Sequence, residues 1–143
     1  MTIPIISEFS FTNLVIAFAF AWGTSILLKV LIEIIKNKKF SFYYFVTDGG
    51  MPSSHATLVS SVTTGTFFYS GFSLLTFVVA AFAFITIRDA LGVRREVGKQ
   101  KIVLQKIAKK ESLNLRREGH NIYQVLFGII LGIVITSIVL ILL

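Results

Sequence analysis

The stretch from Ile122 to Leu143 contains no charged side chain. A bilayer's hydrocarbon core is about 30 Å thick, and about 20 helical residues cross it at 1.5 Å each. Lipid offers the backbone no hydrogen-bond partners, so a segment of this kind must satisfy itself as a helix. Residues 56–87 are also free of charge. They are too many for one crossing and slightly few for two of about 20 residues. Tyr69-Ser70-Gly71 supplies a turn, which predicts two short helices; a re-entrant hairpin is the alternative. A further span is predicted from Leu14 to Ile35, uncharged as far as Leu28 and then carrying Lys29 and Glu33. With 55% hydrophobic residues and a mean hydropathy of +0.81, an ordinary soluble domain is excluded. One domain, residues 1–143, is expected.

The charges are as unevenly placed as the apolar runs. Net charge is +7 and the isoelectric point about 9.9. In a soluble chain that would suggest nucleic acid, but beside membrane spans it reflects orientation and anionic lipid headgroups. No nucleic-acid partner is expected. Ten of the fourteen Lys and Arg residues lie between Arg88 and His120, and the others are Lys29, Lys36, Lys38 and Lys39. Aromatics at 40–45 read as an interfacial belt. Ile102, Val103, Ile107 and Ala108, with Lys101, Lys106, Lys109 and Lys110 between them, read as an interfacial amphipathic helix. If both basic segments face the cytoplasm, four spans are required and both termini lie outside. The predicted fold is an all-α integral membrane bundle of four transmembrane helices, the second and third short, plus the cytoplasmic interfacial helix. A bacterial cytoplasmic membrane is the expected setting. Met1 to Ser10 holds Glu8 and no basic residue, unlike a secretory signal, and is expected to stay in the mature protein. With no cysteine, thiolate chemistry and disulfides are excluded.

Residues able to do chemistry gather at one predicted membrane face. His55 and His120 each stand where a basic segment becomes an apolar helix. Lys29, Arg94 and Arg95 belong to the same face, and Ser53 and Ser54 add hydroxyls. Helix N-termini, imidazoles and cations together favour a bound phosphate. Each residue also has a structural reading. Ser53, Thr57, Ser60, Ser61, Thr64 and Gly65 make a stripe suited to close helix packing, and Asp89 is placed to pair with an arginine. Pro52 suits a first helical position. Lys29 is harder to dismiss, since a charge within a span costs about 2.5–3.5 kcal/mol near its centre. Pairing with Glu33 would offset part of that.

Three blocks carry a family resemblance: Gly49-Gly50-Met51-Pro52-Ser53-Ser54-His55-Ala56; then Asp89-Ala90-Leu91-Gly92-Val93-Arg94-Arg95-Glu96-Val97-Gly98-Lys99-Gln100; then Gly119-His120. The chain resembles the divergent branch of the type 2 phosphatidic acid phosphatase superfamily, which also contains vanadium haloperoxidases. The resemblance runs from about Lys29 to Gly132. It implies a metal-free, cofactor-free phosphomonoesterase working through a phosphohistidine. Carried over, His120 is the nucleophile, His55 the general acid, and Lys29, Ser53, Ser54, Arg94 and Arg95 hold phosphate, with Asp89 and Gly50 in support. Lys36 or Lys39 would be a second cation of the early motif. Ser54 stands where the parent motif has glycine, and about 25 residues separate Arg94 from His120. Gln124 stands where the family pattern has a carboxylate; four residues on from His120, it is the third catalytic residue implied, orienting the imidazole through its amide oxygen, with Asp89 or Glu118 as substitutes.

At a cytoplasmic face the implied substrates are inner-leaflet phospholipids such as phosphatidylglycerophosphate or phosphatidate. The alternative, favoured by Gln124, is a non-catalytic protein that binds lipid phosphate or organises membrane. A transporter subunit is disfavoured, because its pathway would need polar groups near the midplane. Short spans with small-residue stripes leave a homo-oligomer open.

Overall fold

The computed structural model describes residues 10–38, 50–107 and 120–143. Five helices account for nearly all of them: α1 (Phe11–Asn37), α2 (Ser54–Ser70), α3 (Leu74–Leu91), α4 (Val93–Ile107) and α5 (Ile122–Leu142). The protein is an all-α membrane bundle. Among the described residues, three helical stretches are long and apolar enough to cross a bilayer: Phe11–Lys36, Leu74–Leu104 and Ile122–Leu142. The fourth bundle helix, α2, has 17 residues, about 26 Å of helix.

Helix ends follow local chemistry. The Ser10 and Ser73 hydroxyls cap α1 and α3, accepting the backbone N–H of Thr12 and Thr76. Lys38 ends α1 in the left-handed region at φ 51°, and Gly71 ends α2 at φ 61°, where a glycine carries no Cβ penalty. Thus the turn read at Tyr69-Ser70-Gly71 is present, and α2 and α3 are the two short helices expected over 56–87. Pro52 is not a first helical residue. It lies buried two positions ahead of α2, after a cis peptide bond from Met51, because Ser53 takes the capping role.

The packing is that of a protein in lipid. Where α2 crosses α5, a Cβ built on Gly128 would lie 2.6 Å from the Ser53 carbonyl oxygen, and one on Gly132 would lie 2.5 Å from that of Thr57. Only glycine lets the two backbones come so close. Hydroxyls on this seam are satisfied within it. Ser61 Oγ and Thr136 Oγ1 are 2.6 Å apart, and Thr57 and Ser60 donate to the carbonyls of Ser53 and Ala56. The stripe of Ser53, Thr57, Ser60, Ser61 and Gly65 is buried, and α1, which packs on both α2 and α5, buries Ala17, Ala21 and Ser25. Large apolar side chains such as Phe20, Phe77, Phe82 and Ile130 point outward. α3 packs on α2 and touches α5 lightly, and α4 packs on α3.

Candidate phosphate site at one end of the bundle

Three contacts draw four helices together at one end. A Cβ on Gly50 would lie 3.4 Å from both Lys29 Cε and Glu33 Oε1, so the residues preceding α2 rest on the last turns of α1. The Ser53 N–H donates to the Gln124 carbonyl at 3.1 Å, tying the start of α2 to the start of α5. The His120 N–H donates to the Ala90 carbonyl at 3.4 Å, tying the entry of α5 to the end of α3. Gly50 has φ +105°, a conformation that glycine adopts without strain.

At the centre of this cluster stands His120, 2% exposed. Both its ring nitrogens are buried, and neither has a hydrogen-bond partner of good geometry among the described residues. A buried polar group in that condition asks for a ligand or water. Burial pushes the imidazole below its ordinary value. The positive charges of Lys29 and His55 push the same way, while the Gln124 side chain and the Gly50 backbone favour the protonated form and offset part of it. His120 is therefore neutral at pH 7, as a nucleophilic or proton-accepting imidazole must be.

Lys29 is 3% exposed, deep for an ammonium, and its charge is felt at His120. His55, half-buried, is the second residue of α2. Ser53 is fully buried; its hydroxyl accepts the Ala56 N–H at 3.4 Å, capping α2. Ser54 opens that helix, half-buried. At the rim, Arg94 Nε donates to Asp89 Oδ2 at 2.8 Å, with the two side chains 36% and 42% exposed. The pairing read for Asp89 is thus present. Arg95 is exposed on α4, and no contact places it with His120. Lys36 is exposed in the last turn of α1, where a cation complements the helix dipole. Lys39 and Glu118 lie outside the described residues.

Gln124 keeps two jobs. Its carbonyl receives Ser53, and its side-chain oxygen accepts the Asn121 N–H at 2.9 Å in a capping box at the start of α5. That amide oxygen is thus engaged by the helix terminus. Glu33 is the carboxylate that joins the cluster, a role its sequence position did not disclose. Its spacing of four from Lys29 was the available signal, and it pointed to a pair rather than to the site. Among the described residues no group of three or more His, Asp or Glu stands close enough to hold a metal ion.

The chain matches the Divergent PAP2 family over residues 11–135. It belongs to that family. The chain is also similar to the uncharacterized membrane protein YuiD of Bacillus subtilis, 35% identical over 129 residues, covering 76% of this chain and 82% of the relative. No solved structure matches. The family match spans all five helices but the last turns of α5, so the divergent PAP2 assignment covers every residue of the cluster.

Proposed function

We propose that this divergent PAP2 protein is a lipid-phosphate phosphatase that hydrolyses a phosphomonoester through a phosphohistidine on His120. The observation that carries the reading is the burial of a neutral imidazole, both nitrogens lacking a partner of good geometry among the described residues, beside a buried ammonium. A His120 ring nitrogen attacks phosphorus and the P–O ester bond breaks. Lys29, Arg94, the Ser53–Ser54 turn and two helix N-termini stabilise the equatorial oxygens, and His55 gives its proton to the leaving alkoxide. Water then attacks the phosphohistidine while His55 takes its proton, releasing phosphate and restoring His120.

Orientation follows from the charges. The site lies at the end of the bundle that carries the basic segments, so the positive-inside rule puts it at the cytoplasmic face, with four crossings and both termini outside. Substrates are then inner-leaflet phosphomonoesters such as phosphatidylglycerophosphate or phosphatidate, in what we take as a bacterial cytoplasmic membrane.

A second reading rests on Gln124. An amide cannot stabilise developing imidazolium as a carboxylate would, and its oxygen already accepts from Asn121. On that reading the protein binds lipid phosphate without turning it over. One experiment separates the two: inorganic phosphate release in mixed micelles by wild type, His120→Ala and Gln124→Glu. The phosphatase reading expects turnover lost by at least about a thousandfold in His120→Ala, on the scale of losing a nucleophile. Activity only in Gln124→Glu supports the binding reading. Turnover that survives His120→Ala defeats the mechanism.

A further inference from the structure

The helix that follows the site has an apolar face that none of the described residues covers. Val93, Val97, Leu104 and Ile107 fall on one side of α4 by helical spacing, and they are 62%, 44%, 64% and 72% exposed. On other sides of the same helix stand Arg94, Arg95, Lys99 and Lys101, against Glu96 as the single acid. Among the described residues α4 packs against α3 alone. The stripe differs from the one expected from sequence. Val103 and Ile107 are exposed as expected, Ala108 lies outside the described residues, and Ile102 is half-buried on the opposite side; Val93, Val97 and Leu104 take its place in the stripe.

Length decides where this surface lies. The helical stretch Leu74–Leu104 has 31 residues, about 46 Å if unbroken, whereas the hydrocarbon layer is about 30 Å thick. α3, with 18 residues, covers about 27 Å of that alone. Helix α4 therefore begins where the hydrocarbon ends, beyond Gly92, and the first cation of the segment is Arg88 in the last turn of α3. An apolar stripe flanked by cations at that depth complements the outermost acyl carbons and the phosphates above them.

We propose that α4 is a binding surface for anionic phospholipid headgroups of the protein's own bilayer, with its Val93–Val97–Leu104–Ile107 stripe seated at the acyl boundary. This goes beyond the phosphatase reading and does not depend on it: Arg94 serves that reading, whereas the apolar stripe, Arg95, Lys99 and Lys101 are no part of the proposed phosphate site, and no turnover is involved. The anionic leaflet is the occupant because the excess charge on α4 is positive, and a polybasic segment gains about fivefold in affinity for such a surface per cation.

The chain contains no cysteine, so Leu104→Cys gives a single position for an environment-sensitive fluorophore. The full chain carrying that label is reconstituted into phosphatidylcholine vesicles, with or without phosphatidylglycerol, and quenched by lipids brominated just below the headgroup. The expected result is strong quenching in anionic vesicles, weaker quenching in neutral ones, and a difference that shrinks with salt. The combined variant Arg95→Gln, Lys99→Gln, Lys101→Gln should lose that difference while keeping its helix content by circular dichroism. Equal quenching in both lipids overturns the proposal, as does a difference that survives the triple substitution. Shielding that rises with protein-to-lipid ratio would assign the stripe to a second copy and overturn it as well.

Discussion

The seam between α2 and α5 and the outer surface of α3 are opposite in composition, although both belong to helices of a membrane bundle. The seam is glycine, serine and threonine, closely packed, with its hydroxyls bonded to one another or to carbonyls. The α3 surface presents Phe77, Phe82 and Phe84, each about two-thirds exposed. A soluble protein would be arranged the other way round. In lipid a phenylalanine gains little by turning inward, since acyl chains are as apolar as a protein core, and helix association is decided by close approach and satisfied polar groups. The candidate site sits at the end of the seam, where the Ser53–Gln124 hydrogen bond ties the starts of α2 and α5 together.

That contrast can be broken most decisively at Gly132. Gly132→Leu should leave no folded protein in mild detergent, measured by size-exclusion recovery, because its Cβ would already overlap the Thr57 backbone and the Ser60 hydroxyl. Overpacking ordinarily costs about 1–3 kcal/mol, and a backbone contact has nowhere to yield. Next in size is Lys29→Met, which removes one of the charges that lower His120. In wild type the acid limb of the turnover profile should lie below about 6.5, the ordinary histidine value; in the variant it should move upward towards that value. The same group links stability to pH. Its folded-state value is depressed, so the unfolded chain binds its proton first. The stability it contributes above about pH 6.5 should fall away as pH drops towards the folded value, visible in melting scans. A smaller effect is expected from Thr136→Val, which strips Ser61 of its partner across the seam. We expect a loss of about 0.6–1.7 kcal/mol, measured by unfolding in mixed micelles. Phe82→Ala, on the lipid-facing side, should change stability by less than about 0.5 kcal/mol, and a larger loss would mean that α3 is covered by something else.

How much of this was legible in the sequence differs between frame and site for physical reasons. α1 and α5 were legible because an uncharged run long enough to cross a bilayer has few alternatives. Gly71 was legible because the apolar stretch 56–87 is too long for one helix. The gathering of His55 and His120 at one end followed from alternating helix direction. Local spacing could not disclose Gly50 resting on Lys29 and Glu33, since that contact joins segments distant in sequence. Nor could it reveal that Pro52 precedes the cap instead of starting the helix, or that the Gln124 amide turns back to Asn121. The face of α4 was misread in part because Ile102 and Val103 are adjacent apolar residues. The stripe instead follows the longer spacing from Val93 to Ile107.

The hydrogen bond from Ser53 to Gln124 is made by backbone atoms on both sides. Any amino acid except proline at position 53, and any residue at all at position 124, could make it. The distance between the two histidine-bearing helix starts is thus set by groups that substitution does not remove. A glutamate at 124 could also cap the helix through its side-chain oxygen, as the glutamine does. This arrangement separates the part that holds shape from the part that sets reactivity, so a chain built this way can exchange a carboxylate for an amide, or regain one, by a single replacement that leaves the scaffold standing.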